Sequence, residues 1–414
     1  MKPYLLLKNI RTLYSGQDLS KNGGRRPRFA DLSRFKNIDV RCDRASGLIL
    51  DVGFNLEKGS EDELLDASEY LATPSWVDSH THTLFGGDRA KEFFMRWAGE
   101  SYQAISAKGG GIHNSVRDTQ ETSDETLTAL LTERLQSMLR EGTGFVEIKT
   151  GYADSTESEL RFLRLLKAFR TRASSDAQLP LISPTFLGLH AIPKGKTEYD
   201  FVREMIEILP TVAAEGLADH VDTFPEVGFF SLETSLDFAR HAMTAGIAAK
   251  AHCDELSDLR SSEYFVAMGA RSIDHLQKIN KTAVQMLETS QTVATLMPAT
   301  SFYLGLDYAN ARMLIDAGAC LAIATDFNPG TAPNPSMSFT QTLAAKSLRM
   351  EAHEIFAAST HNAAKALGLE SRVGTVVKGQ LGNLNLYRAA SLEELFFTTV
   401  KPELVINRGH VIGY

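Results

Sequence analysis

The segment Asp78-Ser79-His80-Thr81-His82 sets two imidazoles two residues apart. Alternate residues of a strand share a face, so His80 and His82 can offer two nitrogens to one ion. His252 and Asp326 close later apolar runs and would complete three nitrogens and one carboxylate oxygen, with a position left for water. That donor set suits Zn²⁺ or Fe²⁺/Fe³⁺. An ion so held lowers the pKa of bound water toward neutrality. Glu255, just beyond His252, can carry a proton beside that water, although acids at strand-to-helix junctions also serve as caps and first-turn charges. His190 and His275 end apolar runs as well. His113, His220, His241, His353, His361 and His410 lack this placement and read as surface or satisfied core histidines. A lone His-x-His is common; the specificity lies in its combination with His252 and Asp326.

Eight short apolar runs must position these groups: Trp76 to His80, Phe145 to Lys149, Pro184 to His190, His220 to Asp222, Ile247 to His252, Ser272 to His275, Val293 to Met297 and Leu321 to Asp326. Helical periodicity fills the gaps, as at Leu160, Leu163, Leu166 and at Phe162, Leu165, Phe169. Strands of this kind alternating with amphipathic helices predict a parallel sheet covered on its outside, and eight of them predict an α/β fold of the (β/α)8 TIM-barrel type. A doubly wound open sheet is the competing arrangement. In a barrel the strand ends converge on one mouth, where such folds carry their chemistry. The largest insertion, 83–143, contains the glycine-rich Lys108-Gly109-Gly110-Gly111, read as a mobile loop. Both chain ends read as short strands, Leu5–Leu7, Ile38–Val40 and Leu48–Val52 at one, Gly374–Val377, Asn383–Tyr387, Leu404–Ile406 and Gly409–Ile412 at the other. Neither end could fill a core alone, which predicts one small composite β-sandwich domain from 1–72 and 374–414 flanking a barrel at 73–373.

The 414 residues carry a formal net charge of −8, with 43% hydrophobic and 23% charged residues, the balance of a globular chain. Mild acidity speaks against nucleic-acid binding. No apolar run approaches the ~18 residues of a membrane span, and the N-terminus does not read as a signal peptide. Three scattered cysteines, Cys42, Cys253 and Cys320, exclude a disulfide framework and suit a cytoplasmic location. Gly109-Gly110-Gly111 lacks the Lys-Ser/Thr of a phosphate loop, Gly188…Gly195-Lys196-Thr197 is too widely spaced for one, and no G-x-S-x-G occurs.

These residues resemble the amidohydrolase superfamily, whose first barrel strand ends in His-x-His. The likeness extends to the imidazolonepropionase family within it. The segments that carry it are His80-Thr81-His82 running into Phe85-Gly86-Gly87-Asp88-Arg89, Gly109-Gly110-Gly111-Ile112, and Glu147-Ile148-Lys149-Thr150-Gly151-Tyr152. Further along come Thr185-Phe186-Leu187-Gly188-Leu189-His190-Ala191, His252-Cys253-Asp254-Glu255-Leu256, Asp274-His275-Leu276, and Ala324-Thr325-Asp326-Phe327-Asn328-Pro329-Gly330-Thr331. The resemblance implies hydrolytic ring opening of 4-imidazolone-5-propanoate to N-formimidoyl-L-glutamate in histidine degradation. It implies metal ligation by His80, His82, His252 and Asp326, and substrate held by Arg89, Tyr152 and His190, with Asn328, Gly330 and Thr331 contacting substrate or product. It also implies a homodimer. An arginine can clamp the propionate bidentately. The expected chemistry is attack of an activated water, oriented by Glu255 and Asp326, on the ring carbonyl, with His275 or the ion stabilising the oxyanion. Binuclear members carry a modified lysine on the fourth strand; His220-Val221-Asp222-Thr223-Phe224 has none, so one ion is expected. The chain departs from the family pattern at Thr150, Ala153, Leu189 and Cys253, and strand alternation should turn Cys253 away from the metal.

Two other readings compete. A heterocycle aminohydrolase of the guanine type would share the metal set but not the need for Arg89 with Tyr152. A catalytically dead barrel serving as a binding module would have lost a ligand, and all four are present.

Overall fold

The computed structural model describes residues 2–100 and 110–413. Eight strands form one parallel sheet in chain order: Trp76–Asp78, Thr143–Lys149, Leu181–Leu189, His220–Thr223, Ala248–Cys253, Ser272–His275, Val293–Leu296 and Cys320–Ile323. Each of the eight overlaps one of the eight runs expected, with ends that differ by a few residues. The sheet closes on itself just past its first and last strands. There the Asp326 N–H donates to the His80 carbonyl (3.0 Å) and the His82 N–H to the Phe327 carbonyl (2.9 Å). The open-sheet alternative is thereby ruled out. The seam of the barrel runs through three of the residues singled out for chemistry.

Helices clothe the sheet for the reason the periodicity suggests. Thr156–Ser175 starts where the Ser155 hydroxyl accepts the Ser158 N–H, and it buries Phe162, Leu163, Leu166 and Phe169 on one face. The insertion after the first strand holds the helices Ala90–Trp97, Ile112–Glu121 and Asp124–Arg140. Of the glycine-rich stretch, Lys108 and Gly109 lie outside the described residues. Gly111, at φ 78°, directly precedes the helix at Ile112, where the left-handed backbone favours glycine.

The chain ends form two sheets. One has six strands, order His410–Ile412, Leu404–Asn407, Leu384–Tyr387, Leu71–Pro74, Thr12–Tyr14 and Arg34–Phe35, and so interleaves both ends of the chain. The other has four strands, order Ile49–Gly53, Ile38–Asp43, Tyr4–Ile10 and Asp62–Asp66, all from the N-terminal end. Leu5, Leu7, Val40 and Cys42 of the second pack with Leu384, Leu386 and Ile406 of the first. Residues 374–377, expected as a strand, form none: Gly374 sits at φ 92°, and the Val376 N–H donates to the Ser15 carbonyl (2.8 Å). The polar stretch 15–28 is not a mere spacer either. It contains the 3₁₀ helix Gln17–Asn22, and the Arg25 guanidinium then donates to the carbonyls of Leu287 (2.9 Å) and Gly318 (2.6 Å). These are the carbonyl ends of the helices Lys281–Leu287 and Ala311–Ala317, which have no partners of their own. Among the described residues, no helix is long and apolar enough to cross a membrane.

Candidate active site

His80, His82 and His252 bring ligand atoms within 4.8 Å of one another, as do His80, His275 and Asp326. The last-strand carboxylate is split between two tasks. Thr300 Oγ1 donates to Asp326 Oδ2 (2.6 Å), while Oδ1 faces His82 Nε2 (3.4 Å) and His80 Nε2 (3.6 Å). Burial opposes its charge, yet the His82 contact and the neighbouring imidazoles hold its carboxyl down to about 2. His80 gives the sharpest test of metal fit. Its Nδ1 lies 2.6 Å from Asp274 Oδ2, which places the proton there and leaves Nε2 as a lone pair. That Nε2 is buried and has no hydrogen-bond partner. Burial, with neighbouring positive charge, holds the imidazole neutral, well below the usual histidine range. A buried lone pair beside a carboxylate oxygen and two further imidazoles is a donor set that fits a divalent ion.

Below these ligands the barrel interior is charged. Lys149 Nζ lies 2.6 Å from Asp222 Oδ2 and 2.8 Å from Glu147 Oε2; Lys250 Nζ lies 2.9 Å from Glu147 Oε1 and 3.7 Å from Asp274 Oδ2. All five side chains are fully buried. Asp222 Oδ1 in turn meets His252 Nδ1 at 3.1 Å. His220, read as a satisfied histidine, is buried at the base of this group with its Nδ1 unpaired. Cys253 turns outward into the apolar layer beside Ala251, Phe265 and Ile273, as alternation requires.

Glu255 and His275 stand across the cavity floor from each other, Oε1 to Nδ1 at 3.6 Å. Burial, with the charges of Asp326 and Glu226, pushes the Glu255 carboxyl up to about 8. Burial drives His275 down to about 3, so at neutral pH it is an uncharged imidazole. His275 and Asp326 have left-handed backbones, φ 81° and φ 54°, at the points where strands give way to loops. Neither residue adopts that conformation cheaply, and such strain clusters where geometry serves function.

A cavity of about 430 Å³ opens above, lined by His82, Arg89, Tyr152, His190, Glu255, Asn328 and Thr331 among others. Arg89 is buried, and its Nε donates to Glu92 Oε2 (2.8 Å), whose other oxygen accepts the Gly111 N–H (3.0 Å). His190 stacks on His82 with ring centroids 4.9 Å apart, its Nδ1 3.1 Å from the Gly151 carbonyl. Tyr152 sits 5.5 Å from His190, ring to ring, and burial raises its hydroxyl above the ordinary range. Asn328 is committed to its own turn: Oδ1 accepts the N–H groups of Gly330 (2.9 Å) and Thr331 (2.7 Å), and Nδ2 donates to the Asp326 carbonyl (2.7 Å). Gly330 is a close-approach position, since a Cβ there would lie 2.5 Å from Arg89 Cζ.

Every residue singled out in the sequence therefore comes to one end of the barrel. What sequence reasoning missed is the supporting tier: Asp222, Asp274, Glu147, Lys149 and Lys250 below, Glu92 behind Arg89, and Thr300 behind Asp326. A signal existed in the first tier. Glu147 with Lys149, and Lys250 with His252, stand two apart on strands otherwise apolar, hence on the inward face.

The amidohydrolase family model matches residues 71–412. An imidazolonepropionase of Caldanaerobacter subterraneus subsp. tengcongensis is 35% identical over 408 residues, covering 96% of this chain and 94% of its own. One from Christiangramia forsetii is 36% identical over 386 residues, 92% of each chain. Among solved structures, an adenosine deaminase from Xanthomonas campestris with bound zinc superimposes with a TM-score of 0.70 at 14% identity, covering 98% of this chain and 92% of that one. At that identity the likeness speaks for the fold alone.

Proposed function

The chain belongs to the amidohydrolase family and, within it, to the imidazolonepropionases, and on that premise we propose how its residues divide the work. It is a hydrolase of histidine degradation that opens the ring of 4-imidazolone-5-propanoate to give N-formimidoyl-L-glutamate. The reading of the site is that His80, His82, His252 and Asp326 hold one divalent ion, zinc or iron. When bound, such an ion lowers the pKa of water enough to supply hydroxide near neutral pH and polarises a carbonyl.

The remaining work falls to the protein. Arg89, whose Nε is engaged by Glu92, has its two terminal nitrogens to take the propionate. His190, with Nδ1 toward the Gly151 carbonyl, turns Nε2 into the cavity toward the ring. Tyr152 lies beside it and closes the same wall. Glu255, in the ionised form that its raised carboxyl reaches toward pH 8, takes the proton of the attacking water; the ring carbonyl carbon gains the oxygen and becomes a carboxylate. The ring C–N bond breaks, and the proton passes to the departing nitrogen, which ends in the formimidoyl group. His275, as a neutral N–H donor, is placed to steady the oxyanion between these steps. The same reading includes a cytoplasmic homodimer with no nucleic-acid or membrane partner.

The observation that carries it is that the histidine–aspartate cluster and a buried arginine face one cavity. The rival aminohydrolase reading has no use for Arg89 there. Metal-loaded protein given 4-imidazolone-5-propanoate should consume the imidazolone absorbance and form formimidoylglutamate in step, with Asp326→Ala as the inactive control. Bound metal without turnover would move the assignment to heterocycle aminohydrolases and remove Arg89's role.

A further inference from the structure

The five charged groups below the ligands are more than buried ion pairs. They form an unbroken path from one imidazole to another: His80 Nδ1, Asp274, Lys250, Glu147, Lys149, Asp222, His252 Nδ1. They come from the second, fourth, fifth and sixth strands, so the path crosses the barrel interior. Two ammonium groups among three carboxylates leave it one net negative charge directly beneath the cluster. Taking such a set out of water carries a large desolvation cost, and well-packed apolar side chains would serve stability as well or better. Stability alone does not explain its presence. Carboxylates that accept the Nδ1 proton of a ligand histidine fix its tautomer and its ring orientation, and losing one weakens metal binding. Here Lys149 bonds Asp222 and Lys250 forms a longer ion pair with Asp274, and both lysines lie against a single glutamate.

We propose that Glu147, Lys149 and Lys250 are positioning residues which, through Asp222 and Asp274, orient His252 and His80 as one coupled pair of metal ligands. The proposal rests on the metal site given above. Glu147 touches neither imidazole. Its Oε1 also receives the Thr185 hydroxyl (2.6 Å), so it is the point where the two arms of the path meet.

Metal affinity of the whole protein, measured by chelator competition with Zn²⁺ and by the visible absorption of the Co²⁺-loaded form, reads this directly. Glu147→Gln keeps the side-chain shape, and it should weaken Zn²⁺ binding by about 10–100-fold and shift the Co²⁺ bands while the apoprotein stays folded. Thr185→Val, a milder change that removes one donor to Glu147, should weaken binding about 3-fold in the same sense. A structural role alone would lower the apoprotein Tm and leave both metal readouts where they were. Affinity and spectrum matching the parent in either folded variant would overturn the proposal. Failure of the parent protein to bind Zn²⁺ or Co²⁺ at all would instead overturn the reading of the site itself.

Discussion

The floor and the wall of the cavity are built on different plans. The floor carries the histidine–aspartate cluster at strand ends, and three of its four side chains are backed by a second buried group: Asp274 behind His80, Asp222 behind His252, Thr300 behind Asp326. The wall carries Arg89, Tyr152, His190 and the Asn328 turn beyond the strand ends, held by side-chain contacts such as those of Glu92 to Arg89 and Gly111. The difference teaches where tolerance lies. Chemistry common to a superfamily sits where the fold leaves no freedom, whereas discrimination between substrates sits where loops can be exchanged.

The comparison predicts how changes should divide between turnover and binding. Asp326→Ala strikes the floor and should abolish both metal retention and activity, at least ~1,000-fold in kcat, read by metal content and steady-state rates. Glu255→Gln should keep the metal and lower kcat at least ~100-fold with KM little altered; near-parental turnover would remove Glu255 from the mechanism. Gly330→Ala strikes the wall. Its methyl group would displace the Arg89 guanidinium, and KM for the propionate substrate should rise about 10-fold while kcat falls less. A pure kcat effect would mean that the two regions are not separable in this way.

The smallest expected effect concerns Glu159, beneath the wall. Its Oε1 accepts the Gly151 N–H (3.2 Å), and burial pushes its carboxyl up to about 8. The folded protein keeps that proton through a range where the unfolded chain, near its ordinary value of 4.5, has lost it. Between those values the folded state binds more protons, so raising the pH costs up to ~1.4 kcal/mol of stability per unit from this group. Glu159→Gln should flatten the decline of stability from pH 5 to 8, measured by denaturant unfolding at each pH. An unchanged slope would deny the buried acid.

The same division governs what was legible beforehand. The eight strands could be read because each is a short apolar run and most end in a polar group, and two-residue spacing put His80 beside His82. The charged interior could not be read so easily. Lys149 looks like an ordinary strand terminus and Lys250 like a lone polar residue within a strand until the barrel register sets both against Glu147. The wall was reached through family resemblance, since no local periodicity says where a loop such as 328–331 will lie. Glu92 escaped because, although Arg89 is only three residues away, its link to Gly111 is a tertiary contact with no local signal. At the chain ends, Thr375-Val376-Val377 has the composition of a strand, yet Gly374's positive φ and the Ser15 contact divert it. The pairing of Leu71–Pro74 with Leu384–Tyr387 likewise joins segments three hundred residues apart in sequence, beyond any local signal.

That the barrel seam passes through His80, His82 and Asp326 also bears on how the protein is made. On a ribosome synthesising roughly 5–20 residues per second, the first two ligands emerge about 12–50 s before Asp326 does. Until then neither imidazole faces the carboxylate that completes the cluster. Leu71–Pro74, shortly before them, waits longer still for its partner strand Leu384–Tyr387. A site that needs all four groups is therefore complete only once the last strand has been made and the barrel has closed.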